Sequence, residues 1–156
     1  MFPRLLFLLI SVLLIASTMK PTYLLFDAKG KKTTYENLLL EASKADIVLF
    51  GELHNNSICH WLQLQLAKDL IKNQKDKVVL GAEMFEADDQ TILDEYQKGW
   101  IKENQFTKEA KVWDNYKTDY KPLLDLAISQ KVPFIACNIP RRYASIVARE
   151  GLEGLN

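Results

Sequence analysis

A chain of 156 residues, 48% of them hydrophobic and 26% charged, has the composition of one ordinary globular domain. Its 20 Lys plus Arg balance its 20 Asp plus Glu, so no basic excess steers it toward nucleic acid and no acidic run forms a disordered tail. Neither an internal repeat nor a low-complexity tract interrupts it.

The first residues, MFPRLLFLLISVLLIASTMKP, carry a positive charge at Arg4 ahead of an uncharged apolar run from Leu5 to Ala16, then Ser17 and Thr18. That is the layout of a secretory signal, with a charged start, an apolar centre and a small-residue exit. A membrane-spanning helix needs about 20 apolar residues, so the run is short for that role. Residues 1–19 are therefore expected to be a signal peptide or, alternatively, an uncleaved membrane anchor. Residues 20–156 are expected to form the folded domain. No cysteine follows the apolar run, so no lipid-attachment signal is read there. The expectation is an exported protein, periplasmic or membrane-associated in a bacterium.

Tyr23 to Phe26 reads as a short strand, followed by turn chemistry around Gly30. Thr33, with Glu36 three residues on, predicts a capping box opening a helix through Leu38–Leu40 and Ala42. The continuous run Ile47–Phe50 predicts a strand covered on both faces. Asn55, Asn56 or Ser57 can cap the next helix, whose apolar stripe is Ile58, Leu62, Leu66 and Leu70, with Ala67 and Ile71. Val78–Glu83 reads as a second buried strand, and Asp88 or Asp89 as the start of a helix that Gly99 stops. Thr107 is expected to open a helical turn or two. Asp119 is expected to cap a helix that tolerates Pro122 near its start. Val132–Asn138 predicts a third strand, and a further helix begins near Pro140. Cys59 and Cys137 both lie in apolar surroundings and are read as buried free thiols in preference to a bridge.

Strands and helices alternate, with connections long enough for parallel pairing. The expected fold is α/β, a mostly parallel sheet with helices on both faces in three layers. In such sheets ligands bind beyond the carboxyl ends of the strands. The three strands end at Glu52 and His54, at Glu83, and at Asn138 followed by Arg141, which predicts one crevice lined by all five. Glu52 and His54, two apart, point the same way if the chain stays extended.

A histidine with two carboxylates can hold a divalent cation, His54 and Glu83 being the candidate ligands. It can equally act as an acid or base, with Glu52, His54 and Glu83 as the catalytic set of a hydrolase. His60 lies six residues beyond His54, which is not the four-residue helical spacing of a zinc-binding pair, so it reads as a packing or surface residue. Trp113, Tyr116 and Tyr120 fall within eight residues, and Tyr143 follows the third strand. Such aromatics pack cores, and a phenolate can also be an axial ligand to haem iron. Arg141 and Arg142 suit anionic groups such as haem propionates, or stand solvated at a helix start.

VLFGELHNN, VVLGAEMFE, YKPLLDLA and PFIACNIPRRYASIVAREG together resemble the ChaN-like haem-binding uptake proteins of the Tiki superfamily, over about residues 22–156. The resemblance implies an α/β fold, haem as cofactor and partner, a tyrosine ligand, and a dimer with stacked haems. It also implies that this chain corresponds to the N-terminal half of a family domain, so that the sheet is truncated at its C-terminus. Tyr116, Tyr120 and Tyr143 are the candidate tyrosines, with His54, Glu52, Glu83, Asn138 and Arg141 around the haem. The peptidase-like branch uses two Gly-x-x-His motifs and an intervening glutamate. Here Gly51 to His54 and Glu83 match only half of that metal site, which leaves a metal-dependent hydrolase as the alternative.

Overall fold

The computed structural model describes residues 20–155; the expected signal or anchor at 1–19 lies outside the described residues. Among the described residues no helix is long and apolar enough to cross a membrane. The chain divides into two units, the first reaching Leu38 and the second starting at Leu39.

In the first unit Asp27 organises a turn. Its carboxylate accepts the amides of Lys29 and Lys31, both at 2.9 Å. Gly30 sits at φ +75°, where a side chain is disfavoured. The chain therefore folds back, pairing β1 (Leu25–Phe26) antiparallel with β2 (Lys32–Thr33). Helix α1 (Tyr35–Ala42) follows. The hydroxyl that accepts a first-turn amide belongs to Thr34, which takes Asn37 N–H at 3.3 Å. The expected cap at Thr33 is thus displaced by one residue, because Thr33 closes the hairpin ladder.

In the second unit Asn56 caps helix α2 (Ser57–Gln74), its side chain accepting Cys59 N–H at 3.0 Å. Leu66, Ala67 and Ile71 of the predicted stripe are buried, whereas Ile58 at the helix start is exposed. Strand β3 (Leu80–Glu86) pairs parallel with β4 (Phe134–Asn138), registering Leu80 with Phe134 and Glu86 with Asn138 across an irregularity. The connection between them carries α3 (Gln90–Gln97), α4 (Glu103–Glu109), a π-helical turn (Tyr116–Tyr120) and α5 (Lys121–Gln130). Thr107 lies inside α4, which starts four residues earlier than expected, with Gln105 Oε1 accepting Lys102 N–H at 3.1 Å. Asp119 does not cap α5. The π-helical turn runs directly into that helix, and Asp119 accepts Asn115 Nδ2–H at 2.9 Å.

The core forms where these helices cover the β3–β4 pair. Phe85, Leu93, Phe106, Tyr116, Leu124 and Phe134 are essentially without solvent contact. Phe85 meets the edges of Phe106, Tyr116 and Phe134, with ring centroids 5.6–6.4 Å apart, an aromatic arrangement that adds to simple area burial. One side of β4 is closed by Gln90 rather than by a strand. Its amide donates to Phe134 O at 3.1 Å and its carbonyl accepts Ala136 N–H at 2.7 Å, satisfying backbone groups that a bare edge leaves open. Helix α6 (Arg141–Glu150) begins immediately after Pro140, as expected.

The largest departure concerns Ile47–Phe50. The predicted buried strand is an extended segment outside any ladder, with Ile47 78% and Leu49 91% exposed. A groove of about 730 Å³, floored by α2, separates this segment from Val78–Gly81. Without a neighbouring ladder its backbone gains none of the hydrogen bonds that define a strand. Among the described residues the parallel ladder has two strands, so the fold is mixed α/β and the expected mostly parallel, three-layer sheet is not found. Both cysteines are free, as expected, but Cys137 is exposed and Cys59 only partly buried.

Candidate functional site

Between Phe50 and the cap of α2 the chain turns, with Asn56 N–H donating to Leu53 O at 2.9 Å. This turn presents Glu52 and His54 on the same side. His54 Nδ1 lies 3.2 Å from Glu52 Oε1, the juxtaposition expected of residues two apart. The π-helical turn brings Tyr120 against them. Its hydroxyl donates to Glu52 Oε1 at 2.6 Å and stands 3.4 Å from His54 Nδ1.

His60, one turn into α2, completes the group from beneath. Its Nε2–H donates to the His54 carbonyl at 3.1 Å, and its Nδ1 faces Glu52 Oε2 at 3.4 Å without meeting hydrogen-bond geometry. The His54 carbonyl also accepts Asn115 Nδ2–H at 2.6 Å. Trp113 sets its edge against His54, centroids 5.0 Å apart and planes at 85°. Tyr120 lies between Trp113 and His60 with edge contacts to both.

Burial is graded across the cluster. The His60 side chain is 4% exposed, Glu52 15% and His54 59%, so His54 alone of the three opens to solvent. Desolvation, and then the Glu52 carboxylate that accepts its proton, push the Tyr120 phenol well above its ordinary pKa. Burial likewise raises the Tyr116 phenol, which sits in the aromatic core instead of at the site.

The remaining expected residues are carried by β3, β4 and the start of α6. Glu83 is exposed on β3 and borders the groove described above. Asn138 ends β4 in register with Glu86. Arg141 N–H donates to Glu86 at 2.9 Å, Arg142 pairs with Asp88, and Tyr143 lies under the Arg142 guanidinium. The carboxyl ends of β3 and β4 thus share a polar edge with the start of α6. Among the described residues no hydrogen bond or ion pair joins that edge to His54. Among the described residues, moreover, no three His, Cys, Asp or Glu side chains gather as a metal-holding set.

His60, Trp113 and Asn115 belong to the cluster and were not expected there. Trp113 and Asn115 sit beside the tyrosines in WDNYKTDY, but their approach to His54 depends on a contact some 60 positions away in sequence. The cue for His60 was the Asn56 cap. It fixes the start of α2 and so turns the fourth helical residue back toward the preceding loop.

A fold of this kind is found among solved structures. One is the ChaN protein of Campylobacter jejuni, described by its cofacial heme binding, which matches with a TM-score of 0.65 and 25% identity. The match covers 82% of this chain and 52% of that one, so this chain spans about half the length of its structural relative. Residues 38–156 match the family of haem-binding uptake proteins of the Tiki superfamily, ChaN, and the chain belongs to that family. No curated protein sequence matches it.

Proposed function

We propose that this protein binds haem for uptake, on the surface where His54 emerges beside Trp113 and Tyr120. Family membership supports the ligand class. The single observation that supports the place is an imidazole whose one nitrogen is held by a carboxylate while the ring stays 59% exposed. Haem iron already has four ring nitrogens, so the protein needs to supply only one or two axial groups and an apolar wall. The donor set fits that demand with one open imidazole and the ring of an indole beside it. A bound haem supplies the iron; the chain's part is to present a ligand and cover a face.

In the same reading Leu5–Ala16 is an export signal or anchor, the protein works in the periplasm or at a membrane, and two copies can pair over haem. Haem titration into the purified chain tests the central claim. A saturable shift of the Soret band at micromolar haem, diminished in His54→Ala, is expected. An unshifted band at those concentrations refutes it.

A further inference from the structure

We propose that two copies of this chain pair by exchanging α6, the apolar side of each helix covering the bare face of the partner's β3–β4 ladder. The inference stands apart from the haem reading, because the pairing needs no haem.

The ladder is covered on one face only. Leu80, Ala82, Phe134 and Ala136 pack into the core. By strand alternation Gly81 and Glu83 of β3, and Ile135 and Cys137 of β4, point the other way, with Val79 just before β3. Val79 is 54% and Ile135 47% exposed, and Cys137 is exposed as well. The face is level, because Cys137 Sγ fills the place of a Gly81 side chain, 2.6 Å from where a Cβ would stand. A sheet with an apolar face is stabilised by a second layer packed on it, and a helix is the commonest cover.

Helix α6 lacks a partner in the same way. Tyr143, Ile146 and Val147 share one side of it, at spacings of three and four residues. The turn Leu152–Leu155 folds onto its end, with Gly154 against Ile146 and Glu150. Yet α6 buries none of its residues, and Tyr143 is 40% and Leu152 75% exposed. Polar ties, Arg141 N–H to Glu86 and Arg142 to Asp88, hold the start of the helix at the strand ends. The outer face of its own ladder stays open.

Charge fits the two surfaces together. Arg142 and Arg149 flank the apolar side of α6, and Arg149 is 65% exposed. The ladder face they would meet has Glu83 as its only charged residue. Area selects a second copy over one-sided docking. A helix of 10 residues is about 15 Å long, and on two strands it covers well below the ~800 Å² per partner of a standard interface. A two-fold exchange doubles the contact, since each copy gives a helix and receives one. A net charge of zero adds no repulsion between copies.

Sedimentation velocity on the haem-free chain, kept reduced, tests the pairing. Wild type should pass from monomer to dimer between micromolar and millimolar concentration. Alkylation of Cys137, read by mass spectrometry, should slow as the dimer forms. Val147→Asp on the helix and Ile135→Asp on the sheet each place a charge in the interface, and each should weaken pairing about tenfold or more. Circular dichroism checks folding, and either variant suffices if the other does not fold. Glu83→Arg and Arg149→Glu should each weaken pairing about two- to fivefold, the range of an exposed ion pair. An equimolar mixture of those two should regain it, because in the mixed dimer each helix meets a face of opposite charge. A chain that stays monomeric throughout overturns the exchange, whether Cys137 reacts freely or is shielded by its own α6. So does a monomer that floats with phosphatidylcholine vesicles, a dimer that forms only on adding haem, or a dimer that all four substitutions leave intact.

Discussion

Replacing Tyr120 by Phe removes one oxygen and little else. The ring remains, and with it the edge contacts to His60 at 4.8 Å and Trp113 at 5.5 Å, so no cavity of consequence opens. What disappears is a 2.6 Å hydrogen bond to the Glu52 carboxylate, from a donor 4% exposed to an acceptor 15% exposed. Hydrogen bonds to charged groups contribute about 1.5–3 kcal/mol, and an acceptor left buried keeps its desolvation cost. Oε1 retains His54 Nδ1 as a second partner, which places the expected loss toward the lower end, about 1.5–2 kcal/mol. With urea slopes of about 1–3 kcal/mol/M for small proteins, the unfolding midpoint should fall by about 1 M at unchanged slope. Urea unfolding followed by far-ultraviolet circular dichroism reads this directly. The same substitution made in a Glu52→Gln background should cost distinctly less, because the two side chains share one interaction. A Tyr120→Phe protein within about 0.5 kcal/mol of wild type, the range of an unremarkable surface change, refutes the reasoning.

Two further outcomes follow from the core and the phenols. Leu124→Ala, at a fully buried position, should cost about 2–5 kcal/mol, whereas Leu49→Ala, 91% exposed, should stay within about 0.5 kcal/mol. Equal losses in thermal unfolding at the two positions would mean that Ile47–Phe50 is a paired strand after all. Because burial raises the folded-state pKa of Tyr116 and Tyr120 above the ordinary value of about 10, the stability they contribute is complete below that pH. It is lost as pH rises through their folded values. Ultraviolet phenolate absorbance should therefore show two tyrosines ionising only together with unfolding, and one in Tyr120→Phe. Titration of all six tyrosines in the still-folded chain contradicts this.

Local pattern alone determined much of this molecule. The Gly30 turn, the Asn56 cap, the stop at Gly99, the strand Phe134–Asn138 within the expected Val132–Asn138, and the helix after Pro140 each depend on a few neighbouring residues, whose backbone preferences act without the rest of the chain. The pairing of Glu52 with His54 was legible for the same reason, being a matter of two residues in one extended turn. Tertiary structure decided the rest. The apolar run Ile47–Phe50 has strand composition, but a strand exists only where a neighbour supplies hydrogen bonds, and among the described residues none pairs with it. The expectation that Glu83, Asn138 and Arg141 share one rim with His54 was drawn from three paired strands, and the ladder here has two. In their place packing carried His60 and the Trp113–Tyr120 segment to Glu52, across 61 to 68 positions of chain in the case of Asn115 and Tyr120, a distance over which periodicity and propensity carry no information.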